Sequence, residues 1–320
     1  MTSRLRPLAL TAVALSGALT LTACSSGSPS AGGPGGSGGS SASSAAATVA
    51  VTASFYPIEF AVKQVGGAHV SVTSLTKPGA EPHDIELSPK DVAGLSTSSL
   101  VVYAKGFQPA VDTAVDQQAQ DSALDVAPVA HLDRAAPPEG DQPPEAGAKD
   151  PHFWLDPQRY AEVATAIAGR LATADPAHAA DYRANATSFT GKLAQLDSDF
   201  TAGTATCTIK ELVTSHAAFG YLGERYGFTQ VPITGLSPDV EPSAAKLAEV
   251  ADYVKAHHIT TIYAETLVEP AFADTIAKNT GAKVATLDPI EGLTPASAGT
   301  DYLEVMRSNL ATLRAGQQCS

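Results

Sequence analysis

The chain has 320 residues, and its 20 Lys+Arg against 33 Asp+Glu leave a net charge of −13. A balance this acidic argues against nucleic acid as a partner, because phosphate backbones are held by clustered cations. After an atypical N-terminal segment, about 270 residues remain, a length that suggests two domains.

Residues 1–24 read as an export signal, with Arg4 and Arg6 as its positive start and an apolar run over 8–21. That run is shorter than the ~20 residues a membrane-spanning helix needs, so it is not a stable anchor by itself. Leu21-Thr22-Ala23-Cys24 resembles the bacterial lipobox, which implies removal of residues 1–23 and a diacylglycerol on the Cys24 sulfur. Cleavage would remove two arginines and no acid, making the mature chain two units more negative. Residues 24–47 are almost wholly Ser, Gly, Ala and Pro, a flexible linker that cannot bury a core. The protein is therefore expected on the extracytoplasmic face of the cell membrane, lipid-anchored. In that oxidising compartment the two remaining cysteines, Cys207 and Cys319, are expected to pair.

From residue 48 strand and helix alternate. Residues 49–55 read as a strand, 58–64 as a helix and 69–75 as a second strand. A loop over 77–86 follows, then a helix opened by Ser88-Pro89 with Asp91 placed for a capping box, and an apolar strand over 100–103. A helix over 109–118 and a strand over 123–126 complete one α/β lobe, 48–176, with a mostly parallel sheet flanked by helices. Residues 130–149 are rich in Pro, Glu and Ala, lack periodicity, and read as a mobile surface excursion.

Asp150-Pro151-His152-Phe153-Trp154-Leu155-Asp156-Pro157 concentrates a histidine, the single tryptophan and two Asp-Pro pairs. Asp156 suits an N-cap and Pro157 the first helical position, where its missing N–H costs nothing. His152 then sits on a short loop pinned by Pro151, a geometry suited to a metal ligand. Helices are predicted over 159–173 and from 177 to about 200, the second a stiff rod linking the lobes (177–203). The second lobe, 204–320, repeats the alternation: strands over 210–214, 230–234, 259–264 and 283–287, helices over 217–226, 243–256, 271–279 and 300–315. Two such lobes offer a cleft at the carboxyl ends of their strands.

Three histidines fall in connections facing that cleft: His83 after the second strand, His152 before the rod, and His216 after the first strand of the second lobe. Three imidazoles from pinned loops make a borderline-soft cation site. His257 and His258 close a helix, while His69, His131 and His178 are isolated; Trp154 reads as a packing anchor.

Pro78-Gly79-Ala80-Glu81-Pro82-His83-Asp84, the octapeptide, Val213-Thr214-Ser215-His216-Ala217-Ala218-Phe219-Gly220-Tyr221, Gly235-Leu236-Ser237-Pro238-Asp239-Val240-Glu241-Pro242-Ser243 and Leu287-Asp288-Pro289-Ile290-Glu291-Gly292-Leu293 resemble the motifs of metal-binding receptor lipoproteins of bacterial zinc and manganese ABC importers. The resemblance covers residues 48–319. It implies a two-lobed receptor joined by a rigid helix, binding one divalent ion between the lobes and passing it to a membrane permease served by a cytoplasmic ATPase. His83, His152 and His216 match the three family histidines. For the fourth ligand the resemblance favours Glu291; Asp288, Glu81 and a water stay open. Three imidazoles and one carboxylate suit Zn2+ as transported ligand, whereas manganese prefers oxygen-rich shells. The expected function is a monomeric zinc-capturing lipoprotein and not an enzyme. The alternatives are a manganese receptor, a surface adhesin and, last, a zinc hydrolase, for which no His-Glu-x-x-His helix or Gly-x-Ser-x-Gly elbow is present. Relatives often carry a histidine-rich loop where this chain has 130–149 with His131 alone.

Overall fold

Two parallel sheets of four strands each organise the computed structural model, which describes residues 48–139 and 142–320. The signal segment, Cys24 and the linker lie outside the described residues. The first sheet contains β1 (Val49–Ala53), β2 (Val70–Ser74), β3 (Leu100–Tyr103) and β4 (Ala123–Asp125), in the order β2-β1-β3-β4. The second contains β5 (Glu211–Thr214), β6 (Thr229–Pro232), β7 (Thr261–Ala264) and β8 (Lys283–Thr286), in the order β6-β5-β7-β8. The orders are the same, so each sheet reverses direction of growth beside its first strand and opens a crevice at the carboxyl ends there. Interior strands read apolar because both faces are covered: every residue of β3 and β7 is buried.

The flanking helices are α1 (Tyr56–Gly66), α2 (Pro89–Leu95), α3 (Pro109–Gln118), α4 (Pro157–Ala174), α5 (Ala179–Thr204), α6 (Gly220–Tyr226), α7 (Ala244–Ala256), α8 (Ala271–Thr280) and α9 (Tyr302–Gly316). The expected start signals are in place. Ser88 and Asp91 form a reciprocal capping box on α2, Asp156 accepts the Gln158 N–H at 2.9 Å with Pro157 at the first turn of α4, and Ser243 caps α7. Several boundaries moved by two or three residues, the end of β1 at Ala53 and the start of β7 at Thr261 among them. His69 belongs to a short 3-10 turn that ends before β2, and α6 starts at Gly220 because the Ala217 N–H is taken by the Gly235 carbonyl.

α5, 26 residues and about 39 Å long at 1.5 Å per residue, buries Tyr182, Ala186, Phe189, Leu193, Leu196 and Phe200 at helical spacing along one face. It packs on α1 and α4 of the first sheet and on α9, which follows the second. α9 in turn inserts Tyr302 against Phe60 and Tyr160, with ring centroids 5.8 and 4.8 Å away, and its hydroxyl donates to the Trp154 carbonyl. The main apolar core therefore draws residues from both halves, Val51 through Leu313. Cys207 and Cys319 form a disulfide across a sequence separation of 112, tying the chain beyond α5 to the C-terminal segment.

Residues 130–149 carry more fixed contacts than a mobile excursion calls for. Ala135 bridges Lys149 antiparallel, Arg159 donates to the carbonyls of Ala130 and His131, and the Glu139 carboxylate accepts the backbone N–H groups of Leu236 and Ser237.

Candidate metal centre

Four side chains converge where the two sheets' carboxyl ends face each other: His83 after β2, His152 after β4, His216 after β5 and Glu291 after β8. Their ligand atoms all lie within 4.8 Å of one another, and all four residues are buried.

Each arrives by a different local device. The His83 N–H donates to both Glu81 carboxylate oxygens at 3.0 Å, and the preceding Pro82 carbonyl accepts from the buried Gln108 amide at 3.0 Å, so the loop is fastened from below. His152 donates its backbone N–H to Asp150 Oδ1 at 3.0 Å in the turn that Pro151 bends. The His216 carbonyl is held by the Thr214 hydroxyl at 2.8 Å and the Gln230 amide at 2.9 Å. Glu291 follows a tight turn in which Ile290 takes a positive φ of 59°, a conformation a β-branched residue adopts only when its surroundings impose it. Asp288 and Trp154 impose it. Asp288 Oδ1 accepts the Ile290 N–H at 2.8 Å, and the Trp154 indole donates to the Pro289 carbonyl at 2.7 Å.

Glu291 Oε1 stands 3.4, 3.0 and 3.0 Å from the Nε2 atoms of His83, His152 and His216. Ligands about 2.05 Å from a tetrahedral ion are separated by about 3.3 Å, close to the three glutamate–imidazole distances, so these four groups could close on one small divalent cation from within 4.8 Å of one another. Glu291 Oε2 is buried without a hydrogen-bond partner, an orphan that a cation would satisfy.

The electrostatics are unequal. Burial pushes the His83 imidazole below its ordinary value. Burial acts the same way on His152 and His216, but there Asp150, Glu265 and Glu291 outweigh it: His152 is raised, and His216 is raised well above 6.5. Burial would raise Glu291, but the charges of His216 and His83 and the imidazole hydrogen bonds drive it well below the carboxylate range. Glu81, pushed up to about 7 by burial and the Glu291 charge, is spent on the His83 backbone and stands outside the convergent group, its Oε1 4.0 Å from His83 Nε2.

Asp288, the alternate fourth ligand, stands outside the convergent group. Its Oδ1 closes the turn to Ile290, Oδ2 accepts from the Ser297 hydroxyl at 2.9 Å, and its backbone exchanges two hydrogen bonds with Asn309. That is an Asx-type role, the ordinary one for Asp before Pro. Trp154 is fully buried with its centroid 5.2 Å from that of His152, an anchor as expected. His69 and His178 stack on each other at 3.9 Å and pair with Asp181 and Asp175, away from the group.

Sequence reasoning missed two carboxylates. Asp150 Oδ1 lies 2.8 Å from His152 Nδ1, and Glu265 Oε1 lies 2.9 Å from His216 Nδ1. A signal existed for each: Asp150 stands two residues before a pinned histidine, and Glu265 directly follows the wholly buried strand β7. A surface cavity of about 920 Å3 lies instead at the opposite strand ends, lined by Val254, Ile259 and Lys283. An ion-sized buried site leaves no such hollow, so the cluster and not the cavity marks the chemistry.

The family described as "Zinc-uptake complex component A periplasmic" matches residues 51–316. "Zinc-binding protein AdcA" of Streptococcus pyogenes serotype M6 is 38% identical over 285 residues, which covers 83% of this chain and 55% of the relative, so the chain spans about half the length of that relative. "High-affinity zinc uptake system protein ZnuA" of Bacillus subtilis is 34% identical over 274 residues, 82% of this chain and 86% of its own. Among solved structures, the Zn(II)-bound ZnuA-like domain of Streptococcus pneumoniae AdcA superposes with a TM-score of 0.71 at 34% identity, over 84% of this chain and 99% of that one. A mutant of the laminin-binding adhesin Lmb of Streptococcus agalactiae superposes with a TM-score of 0.75 at 36% identity, over 83% and 98%.

Proposed function

This chain belongs to the family of component A proteins of the zinc-uptake complex, and on that premise we propose that it captures Zn2+ outside the cytoplasm and hands it to an ABC permease. The single observation that carries the reading is the convergence of three imidazole Nε2 atoms on one oxygen of a buried glutamate. Three nitrogens and one carboxylate suit zinc, a borderline ion content with four ligands; manganese would want harder, oxygen-rich company. His83, His152, His216 and Glu291 are the ligands in this reading. Glu291 is then a ligand and not a general base, which favours a carrier over a hydrolase.

Delivery requires release. The α5 spine and the insertion of α9 into the first half's core support small loop movements about the metal in preference to wide rotation of the halves. Attachment to the membrane would rest on the lipid at Cys24, since among the described residues no helix is long and apolar enough to cross a bilayer. The permease and its ATPase would be separate chains.

Chelator-competition titration of the protein with zinc and with manganese, alongside elemental analysis, tests the proposal. One tightly held zinc per chain, displacing manganese, is the expected result. Absence of stoichiometric zinc, or a preference for manganese, would overturn it.

A further inference from the structure

Glu265 is an expensive residue to keep where it is. Its side chain is 2% exposed, its Oε2 is buried without a hydrogen-bond partner, and His216 is its one ion-pair partner among the described residues. A buried carboxylate that no lysine or arginine neutralises carries a large desolvation cost, whereas a glutamine would accept the same Nδ1–H far more cheaply. What the glutamate adds over glutamine is charge.

Strand register puts that charge in place. β5 and β7 pair in parallel with Thr214 opposite Tyr263, so the residues two positions beyond each strand pair, His216 and Glu265, emerge side by side at the crevice. Glu265 Oε1 lies 2.9 Å from His216 Nδ1, and on the other side of the ring Nε2 faces Glu291 Oε1 3.0 Å away. Asp150 does the same for His152 at 2.8 Å, but its charge is shared: Arg134 Nε stands 3.5 Å from Oδ2, and the His152 backbone N–H also lands on Oδ1. Among the described residues His83 has no such carboxylate behind it; its ring packs edge-on to Phe107 at 4.6 Å. The three imidazoles are thus graded, and His216 has the least compensated charge at its back.

We propose that Glu265 is a positioning residue whose unshared negative charge behind the His216 imidazole sets the affinity of the centre for its divalent ion, with Asp150 as a weaker counterpart behind His152. The inference rests on the receptor reading above. A carboxylate on Nδ1–H fixes the tautomer, orients the ring and makes the coordinating nitrogen a stronger donor. Its negative charge also offsets that of a divalent ion in a medium of low dielectric.

The test is zinc affinity by chelator competition for the full chain and for Glu265→Gln and Asp150→Asn, with the visible spectrum of the Co2+ complex as a reporter of the ligand set. Glu265→Gln is expected to bind zinc 10- to 100-fold more weakly, and to lose more than Asp150→Asn. Its Co2+ bands should keep the wild-type tetrahedral pattern, because all four ligands remain. Affinity within twofold of wild type, a larger loss in Asp150→Asn, or a Co2+ spectrum of different geometry would each overturn the role; the last would mean that Glu265 holds the loop and not the charge. If Glu265→Gln does not fold, Glu265→Asp takes its place: zinc binding stronger than that of His216→Ala supports the charge, and binding equally weak refutes it. A wild-type chain without stoichiometric zinc would instead overturn the receptor reading itself.

Discussion

Acidification should strip zinc from this centre, because protons compete for the imidazoles that would hold it. In the metal-free cluster burial disfavours charge on every imidazole, yet Asp150, Glu265 and Glu291 hold His152 above the ordinary value of 6.5 and His216 well above it, while His83 lies below. His216 and His152 therefore hold a proton to higher pH than an ordinary imidazole does, and His83 gives its proton up at lower pH. A coordinated Nε2 cannot carry a proton, so the raised groups must lose theirs to bind zinc, and affinity is lost as pH falls. Each displaced proton is worth tenfold, about 1.4 kcal/mol, per pH unit. From pH 6.5 to 5.5 the zinc association constant should then fall by more than tenfold. A competition titration with a chelator of known proton affinities measures the slope directly. Zinc added to weakly buffered protein at pH 6.5 should release protons. The metal-free protein should respond in the opposite sense. A His raised above its unfolded value stabilises the fold fully below about 6.5, and that stability is lost as pH rises through the folded value. Its melting temperature should thus rise from pH 8 to pH 6 while the increment conferred by zinc shrinks. A flat affinity across this range would refute the imidazole site.

Removal of the histidines singly should rank them. His216→Ala is expected to cost more than the roughly 100-fold that marks the upper range for losing a ligand's outer partner, and His83→Ala, lacking a carboxylate behind it, less than His216→Ala, both read by chelator competition. Trp154→Phe would leave the buried Pro289 carbonyl without its donor, an unsatisfied group worth about 1–3 kcal/mol; chemical denaturation should show that loss, together with weaker zinc binding through the Glu291 turn. Unchanged stability would mean that the turn does not depend on the indole. Reduction of Cys207–Cys319, or Cys207→Ser with Cys319→Ser, frees a loop of 112 residues and should lower the unfolding free energy by about 4–5 kcal/mol in the chain-entropy model. A loss under about 1 kcal/mol would place the stabilisation elsewhere.

Much of this molecule was legible in the chain because the signals are local. Apolar runs such as 100–103 and 261–264, the Ser88 and Asp91 box, and Asp156-Pro157 at the head of α4 state their own secondary structure. The three histidines could be singled out for the same reason, each sitting in a short connection with a proline or a strand end beside it. The excursion at 130–149 misled because composition says nothing about what a loop touches, and Glu139 anchors it to backbone groups 97 and 98 residues away.

The sequence by itself determined the element order, the α/β class, the three imidazoles and the pair of cysteines, because periodicity, caps and residue chemistry are carried by neighbours along the chain. Only the tertiary structure places Asp288 and Glu291 apart, two acids three residues from each other in one loop. The positive φ at Ile290 turns one carboxylate back onto its own backbone and sends the other among the imidazoles. Only the pairing of β5 with β7 could bring Glu265 behind His216 across 49 residues. Which group lies behind a ligand, and with how much unshared charge, is a property of strand register and burial, and neither is written in any short stretch of the chain.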